Sequence, residues 1–330
     1  MTLAASSHDY DDYDALLEDY YERGWTDGFP VVPPTPQKVE RFLAVAGLAP
    51  ADILGEVPTR EVTVTAEHAA INAVMAGCKP EYFPAVVAAV RAHLDPMGNC
   101  HSTTGTLSGA AQVVVLNGPI RNEIGVASYS GCFGPGFRPN ATIGRALRLV
   151  IRNVCRAVPG FLDRASFSWP LRYSFCFGEN EEASDWRPLH VQRGFKPEDS
   201  TATVMSIMKF APAGDMLSRE ASKVLDSIVV QARQHGVGGD AWLGEDHNMM
   251  FVFGKEHQRY FIEEGWSKER IQEYLWPRLI EDARDKYDRK VNIAKPEGLL
   301  IVAAGGPGMG ETWMFLPHLA HAITRKIEVA

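Results

Sequence analysis

Three short runs in this chain are apolar at nearly every position. They are AQVVVL over Ala111 to Leu116, the run from Asn248 to Phe253, and LLIVAA over Leu299 to Ala304. A strand with one wet face alternates apolar and polar residues, whereas a run apolar on both parities must be covered on both faces. Between these runs lie segments with helical spacing. Asp11 to Arg23 places Leu16, Leu17, Tyr20 and Tyr21 on one stripe, and Ser218 to His235 does the same with Ala221, Val224, Leu225, Ile228 and Val229. We therefore expect an α/β fold: short buried strands with helices on both faces, with a layout that suggests two similar α/β halves.

Further elements follow from their punctuation. Asp27 to Gln37 (DGFPVVPPTPQ) holds four prolines, which forbid helix and force an extended arm. Thr35-Pro36 can then open a helix from Gln37 to Ala46. Glu61 to Val64 reads as a strand, and Thr65 as the cap of a helix over Ala66 to Ala76 that Gly77 ends. A helix from Pro80 to about Leu94 precedes the first apolar run. Thr201 to Phe210 reads as a strand, Lys255 to Glu264 as a helix, and Ser267 as the cap of a helix carrying SKERIQEYLWPRLIEDARDKY. We divide the chain into an N-terminal helix and proline arm (1–37), a first α/β half (38–158) and a second (159–330). The apolar arm suggests a homodimer or larger assembly.

The 330 residues carry a net charge of −8, which argues against nucleic acid and anionic membrane as partners. No apolar run is long enough to cross a bilayer, and the acidic N-terminus lacks the blocks of a signal peptide, so a cytoplasmic location is expected. The five cysteines are scattered, without a CxxC pair.

The densest chemistry lies in SGCFGPGFRPNATIGRALRL, Ser130 to Leu149. Gly131, Gly134 and Gly136 let the backbone turn tightly and approach a ligand. Asn140 is a suitable N-cap for a helix from Ala141 to Val154, whose free N–H groups would face the loop. Arg138, Arg145 and Arg148 add positive charge, so the loop suits a carboxylate, a phosphate or a Cys132 thiolate. The pattern is neither GxGxxG nor a Walker loop, so no nucleotide cofactor is implied. Asn99 to Gly105 supplies His101 as a candidate base and Thr103 and Thr104 as carboxylate donors, or else is a polar turn. Asn117 ends the first apolar run beside a second polar turn. Gly178-Glu179-Asn180-Glu181-Glu182 is either a solvated acidic loop or a general acid/base site. Its carboxylates could also hold a metal together with His190. A second glycine loop, Gly305 to Gly310, follows the last apolar run, with Gly306 beside Gly305. His318 and His321 share a face of an expected C-terminal helix.

Several stretches resemble a poorly characterised bacterial family grouped with the UGSC-motif (seleno)proteins. They are DGFPVVPPT (Asp27 to Thr35), INAVMAGCKPEY (Ile71 to Tyr82), GPGFRPNATIGRALRL (Gly134 to Leu149), GENEE (Gly178 to Glu182) and EEGWSKERI (Glu263 to Ile271). The UGSC tetrad itself is missing. The resemblance implies a metabolic α/β protein and names no substrate.

These features together suggest an enzyme acting on a small organic anion, a lyase or hydrolase at a carbon–heteroatom bond. The loop from Gly131 to Asn140, with Arg138 and Arg145, would hold the anion. His101 and Glu179 or Glu181 would move protons, and Cys132 would be a nucleophile or a proton donor. A metal-dependent hydrolase or lyase using Glu and His ligands is the second reading. A non-catalytic subunit that binds a small molecule is the third.

Overall fold

The computed structural model describes residues 1–182, 185–239, 247–284, 287–290 and 293–329. Two helices, α1 (Tyr13–Glu22) and α2 (Pro36–Val45), flank the proline arm. A small hairpin, β1 (Ile53–Val57) and β2 (Val62–Thr65), leads into α3 (Ala66–Met75) and α4 (Phe83–His93). Short α5 (Cys100–Thr104) precedes β3 (Ala111–Asn117), α6 (Ile120–Glu123) and the long α7 (Arg138–Asn153). The remainder runs β4 (Cys176–Gly178), α8 (Leu189–Gln192), β5 (Thr201–Gly214), α9 (Ala221–Gln234), β6 (Met249–Phe253), α10 (Lys255–Glu263), α11 (Lys268–Leu279), β7 (Leu299–Ala303), β8 (Glu311–Pro317) and β9 (Ile323–Lys326).

The three apolar runs are strands β3, β6 and β7, and every residue in them is buried. They belong to one seven-stranded sheet in the order β4-β3-β5-β8-β6-β7, with β9 also pairing β5. β5 organises it. Its first half pairs β3, from Asn117 opposite Thr201 to Ala111 opposite Ile207, while Thr201 to Val204 also pair β9. Its second half pairs β8, from Ile207 opposite Pro317 to Gly214 opposite Glu311. The sheet is curled so far that its edges meet: beyond β4, the Asn180 N–H donates to Ala303 O at the end of β7 at 2.7 Å.

Side chains alternate across a strand, so the curl creates an inside and an outside. Inside, Val113, Val115, Phe177, Met205, Met250, Val302 and Phe315 pack together with Cys132 from the glycine loop. Outside, Val114, Leu116 and Val204 pack on α2, α3, α4 and α7. Phe251, Phe253, Ile301 and Met314 pack on α9, α10 and α11. Burying one such side chain fully contributes roughly 1.5–3 kcal/mol. The α/β class is thus realised as a curled sheet with helices around it. Only β3 of this sheet comes from 38–158, so the two expected halves share one sheet rather than each having its own.

Local expectations hold where punctuation is strong. Thr65 caps α3 in a reciprocal box, its hydroxyl accepting from His68 N at 3.3 Å while its own N–H donates to His68 Nδ1 at 3.2 Å. The proline arm lies on its own chain: Val31 is buried and Val32 N–H donates to Met75 O.

Three expectations are corrected. α7 begins at Arg138, one turn earlier than expected, because Pro139 fits the first turn of a helix; Phe137, not Asn140, is the N-cap. α11 stops at Leu279, next to Pro277, instead of running through to Tyr287; Asp285 and Lys286 of that stretch lie outside the described residues. The C-terminal helix expected around His318 and His321 is absent. Aromatic and β-branched residues there form β8 and β9 along β5, and the two histidines sit in the connection, where Leu319 has φ +51°.

Candidate functional site

The two glycine loops, far apart in sequence, meet at Cys132. Gly305 N–H donates to Ser128 O at 3.0 Å. At Gly306 a side chain would overlap Ser130, its Cβ falling 1.8 Å from Oγ and 3.0 Å from Cα. Gly305 itself has φ +88°, which favours glycine, and also approaches Gly254 at the start of α10. The loops therefore fit only because these positions lack side chains.

Cys132 is 4% exposed. The backbone dipoles at Gly305, Cys132 and Phe133 act to lower its thiol. Burial outweighs them and pushes the thiol up to about 11. Beside it, Phe133 anchors the loop inside the curled sheet, with its ring 4.8 Å from Phe177 and 5.3 Å from Phe175. Asn140 does not cap its helix. It clamps the loop instead: Oδ1 accepts from Ala127 N at 2.9 Å, and Nδ2 donates to Ala127 O at 3.0 Å and Cys132 O at 3.2 Å. Gly134 N–H closes a turn on Gly131 O at 2.8 Å, and Gly136 lies in open space at φ +113°.

The acidic segment joins the same junction. Gly178 N–H donates to Ala127 O, and Glu179 Oε1 faces Ala303 N at 3.4 Å. Glu179 is 2% exposed and also accepts from Lys268 Nζ, Asn117 Nδ2 and Leu189 N, each at 2.6 Å. Its lone pairs are filled, so it acts as an anchor rather than an open base. Glu181 accepts from the other Asn117 amide N–H at 2.8 Å and from Gly118 N at 2.9 Å, with Arg121 at 3.1 Å. Arg121 also pairs with Glu182, and that hydrogen bond holds the Glu182 carboxyl at about 2. The inner part of the segment is thus not a solvated acidic loop: Lys268 pairs with Glu179 and Arg121 with Glu181, while Glu182 is exposed.

His190 is fully buried. Its Nε2 donates to Pro197 O at 3.4 Å, while Nδ1 has no hydrogen-bond partner and lies 4.0 Å from Glu181. Among the described residues, no group of three or more His, Cys, Asp or Glu side chains could hold a metal ion.

The other residues singled out from sequence have partners elsewhere. Arg145 pairs with Asp27 at 2.8 Å and donates to Pro30 O at 3.0 Å, tying α7 to the proline arm. Arg138 donates to Gly77 O at 2.9 and 3.0 Å. Arg148 is buried, bonded to Gln112 and Arg172 O, and burial lowers its guanidinium to about 9. His101 is exposed and bonds Thr59 Oγ1 at 2.9 Å. Thr103 and Thr104 are buried and turn their hydroxyls back onto Asn99 O and Cys100 O. His318 Nε2 meets Thr106 Oγ1 at 3.2 Å and Ser108 Oγ at 3.3 Å.

Sequence reading missed Lys268, Arg121, Phe133 and Lys255. Lys255 is exposed and donates to Tyr129 Oη at 3.2 Å, placing a cation beside the Cys132 loop. A lone lysine after a Ser N-cap looks like an ordinary surface residue, and nothing in its spacing marks Lys268 as buried.

Compared with known protein families and with curated proteins, the chain matches none. The resemblance to the UGSC-motif proteins rests on the quoted segments alone.

Proposed function

We propose that the protein is an enzyme acting on a small organic anion, with Cys132 as the group that moves the proton when a carbon–heteroatom bond is cleaved or hydrated. The observation that carries this reading is the meeting of two glycine loops, distant in sequence, around one buried thiol. A thiol near 11 is protonated at neutral pH, which favours proton donation over nucleophilic attack. The thiolate left behind would be met by the backbone dipoles at Gly305, Cys132 and Phe133. Lys255, exposed beside Tyr129, replaces Arg138 and Arg145 in our reading as the cation that meets the substrate's charge. Glu181, at 14% exposed, is the inner carboxylate of the segment that solvent reaches, whereas Glu179 is saturated by its donors.

The test is turnover of a panel of small carboxylic and phosphoric acids, followed by NMR in deuterated water, with native mass spectrometry to detect retained molecules. We expect one class to be converted, and Cys132→Ala to lower the rate by roughly 10²–10⁴-fold. A Cys132→Ala protein as active as the parent would overturn the reading. Retention without conversion would favour the non-catalytic binding role.

A further inference from the structure

A second thiol site lies outside the sheet, between α5 and the end of α7. Arg60, 7% exposed, stands at its centre. The guanidinium donates to Cys155 O at 2.6 Å, His101 O at 2.9 Å and Thr104 Oγ1 at 2.8 Å, and reaches Cys100 O at 3.5 Å. Both cysteines are therefore fixed by one cation. Their thiols lie within each other's influence, and the His93 imidazole acts on Cys100 as well. His93 is 2% exposed, and its Nε2 is buried without a hydrogen-bond partner. An imidazole left open in this way is costly if its only role is packing.

We propose that Cys100 and Cys155 are a redox couple that a small peroxide closes into a disulfide. The Cys100 sulfur attacks one peroxide oxygen and the O–O bond breaks. The departing hydroxide takes the proton lost by the Cys100 thiol and leaves as water, so Cys100 becomes a sulfenic acid. The Cys155 sulfur then attacks the Cys100 sulfur, the S–S bond forms and the S–O bond breaks. The second hydroxide takes the Cys155 proton. Two thiols and one hydrogen peroxide thus give one disulfide and two waters, with sulfur oxidised and peroxide oxygen reduced. An external dithiol restores the couple by thiol–disulfide exchange.

The surroundings assign the two roles. The hydrogen bond from Cys155 holds the Cys100 thiol well below its usual range against the opposing effect of burial, and His93 and Arg60 act in the same direction. Cys155 lies deeper than Cys100, so Cys100 meets the peroxide first and Cys155 is the resolving group. Exposures of 6% for Cys100 and 0% for Cys155 admit hydrogen peroxide in preference to a bulky oxidant. Burial pushes the Cys78 thiol up to about 12 and raises that of Cys176, which makes both internal controls.

The experiment treats the full chain with equimolar hydrogen peroxide at pH 7, alkylates the remaining thiols after unfolding, and maps the peptides by mass spectrometry. We expect one link, Cys100 to Cys155, two hydrogens lighter and reversed by dithiothreitol. Cys155→Ser should leave a Cys100 sulfenic acid that dimedone captures. His93→Gln should slow the first step about tenfold without changing the linked pair. Oxidation of Cys78, Cys132 or Cys176 as fast as Cys100, or a Cys100–Cys155 link that forms only in unfolded protein, would overturn the proposal. The map of the unmodified protein decides the matter even if a variant fails to fold.

Discussion

Cys132 and Cys100 are almost equally buried, at 4% and 6% exposed, yet their surroundings drive the two thiols in opposite directions. Around Cys132 only backbone dipoles, which carry partial charges, oppose burial, and burial wins. Around Cys100 a second thiol, an imidazole and a guanidinium act together, and burial loses. Depth alone therefore does not set the state of a buried cysteine; the kind of charge packed against it does. The construction differs accordingly. The Cys132 site is made where loops close a curled sheet, and it depends on glycines and on one ion pair. The Cys100 site is made within the helical layer, where side chains carry the charge.

The largest effect that would separate the two regions is expected from Lys268→Met. Lys268 and Glu179 are 1% and 2% exposed and form a 2.6 Å ion pair. Removing the cation leaves a buried carboxylate uncompensated, a change that costs about 3–5 kcal/mol. Because Glu179 also meets Ala303, two residues before Gly305, the junction should loosen. Urea unfolding and cysteine-resolved alkylation check this: stability falls by that amount, Cys132 alkylates faster, and Cys100 keeps its rate. A loss below about 1 kcal/mol would remove Glu179 as the anchor.

A smaller effect is expected from Gly306→Ala. The added methyl would meet the Ser130 hydroxyl and the Ser130 Cα, so the loop backbone must give way. Overpacking of this kind costs about 1–3 kcal/mol. The same alkylation map should again show Cys132 changed and Cys100 unchanged. If both cysteines respond alike, the two sites are coupled through the sheet and the comparison fails.

The buried strands were legible because an unbroken apolar run has few other fates, and Thr65 was legible because a cap acts on its own next turn. The site was legible only in part. Glu179, Asn117, Cys132 and the two glycine loops come together in the fold. His101 to Thr104 go elsewhere, because α5 folds their hydroxyls onto its own carbonyls. The arginines near the loop were read as an anion clamp, but helical geometry turns Arg145 toward Asp27. Asn140 looks like a cap in sequence, and Pro139 alters the register of the helix start. Lys268 lies 89 residues from Glu179, so no local pattern could reveal that they meet.

The smallest effect tests full charge where solvent reaches it. Glu182 is 58% exposed and pairs with Arg121, itself 3% exposed, at 2.9 Å. The hydrogen bond from Arg121 lowers its carboxyl from 4.5 to about 2, so the folded chain binds this proton more weakly than the unfolded chain. The resulting stability is present above about 4.5 and is lost as pH falls toward 2. Solvent screening limits it to about 0–1 kcal/mol. Glu182→Gln should therefore be less stable than the parent by under about 1 kcal/mol at pH 7. That difference should shrink between pH 4.5 and 2, and salt should weaken it. Lys268→Met should show little salt response, because its pair is buried. Chemical denaturation of both variants across pH and ionic strength makes the distinction. A Glu182→Gln deficit that ignores both pH and salt would mean that the contact acts through shape and hydrogen bonding. Charge would then govern only the buried sites of this fold.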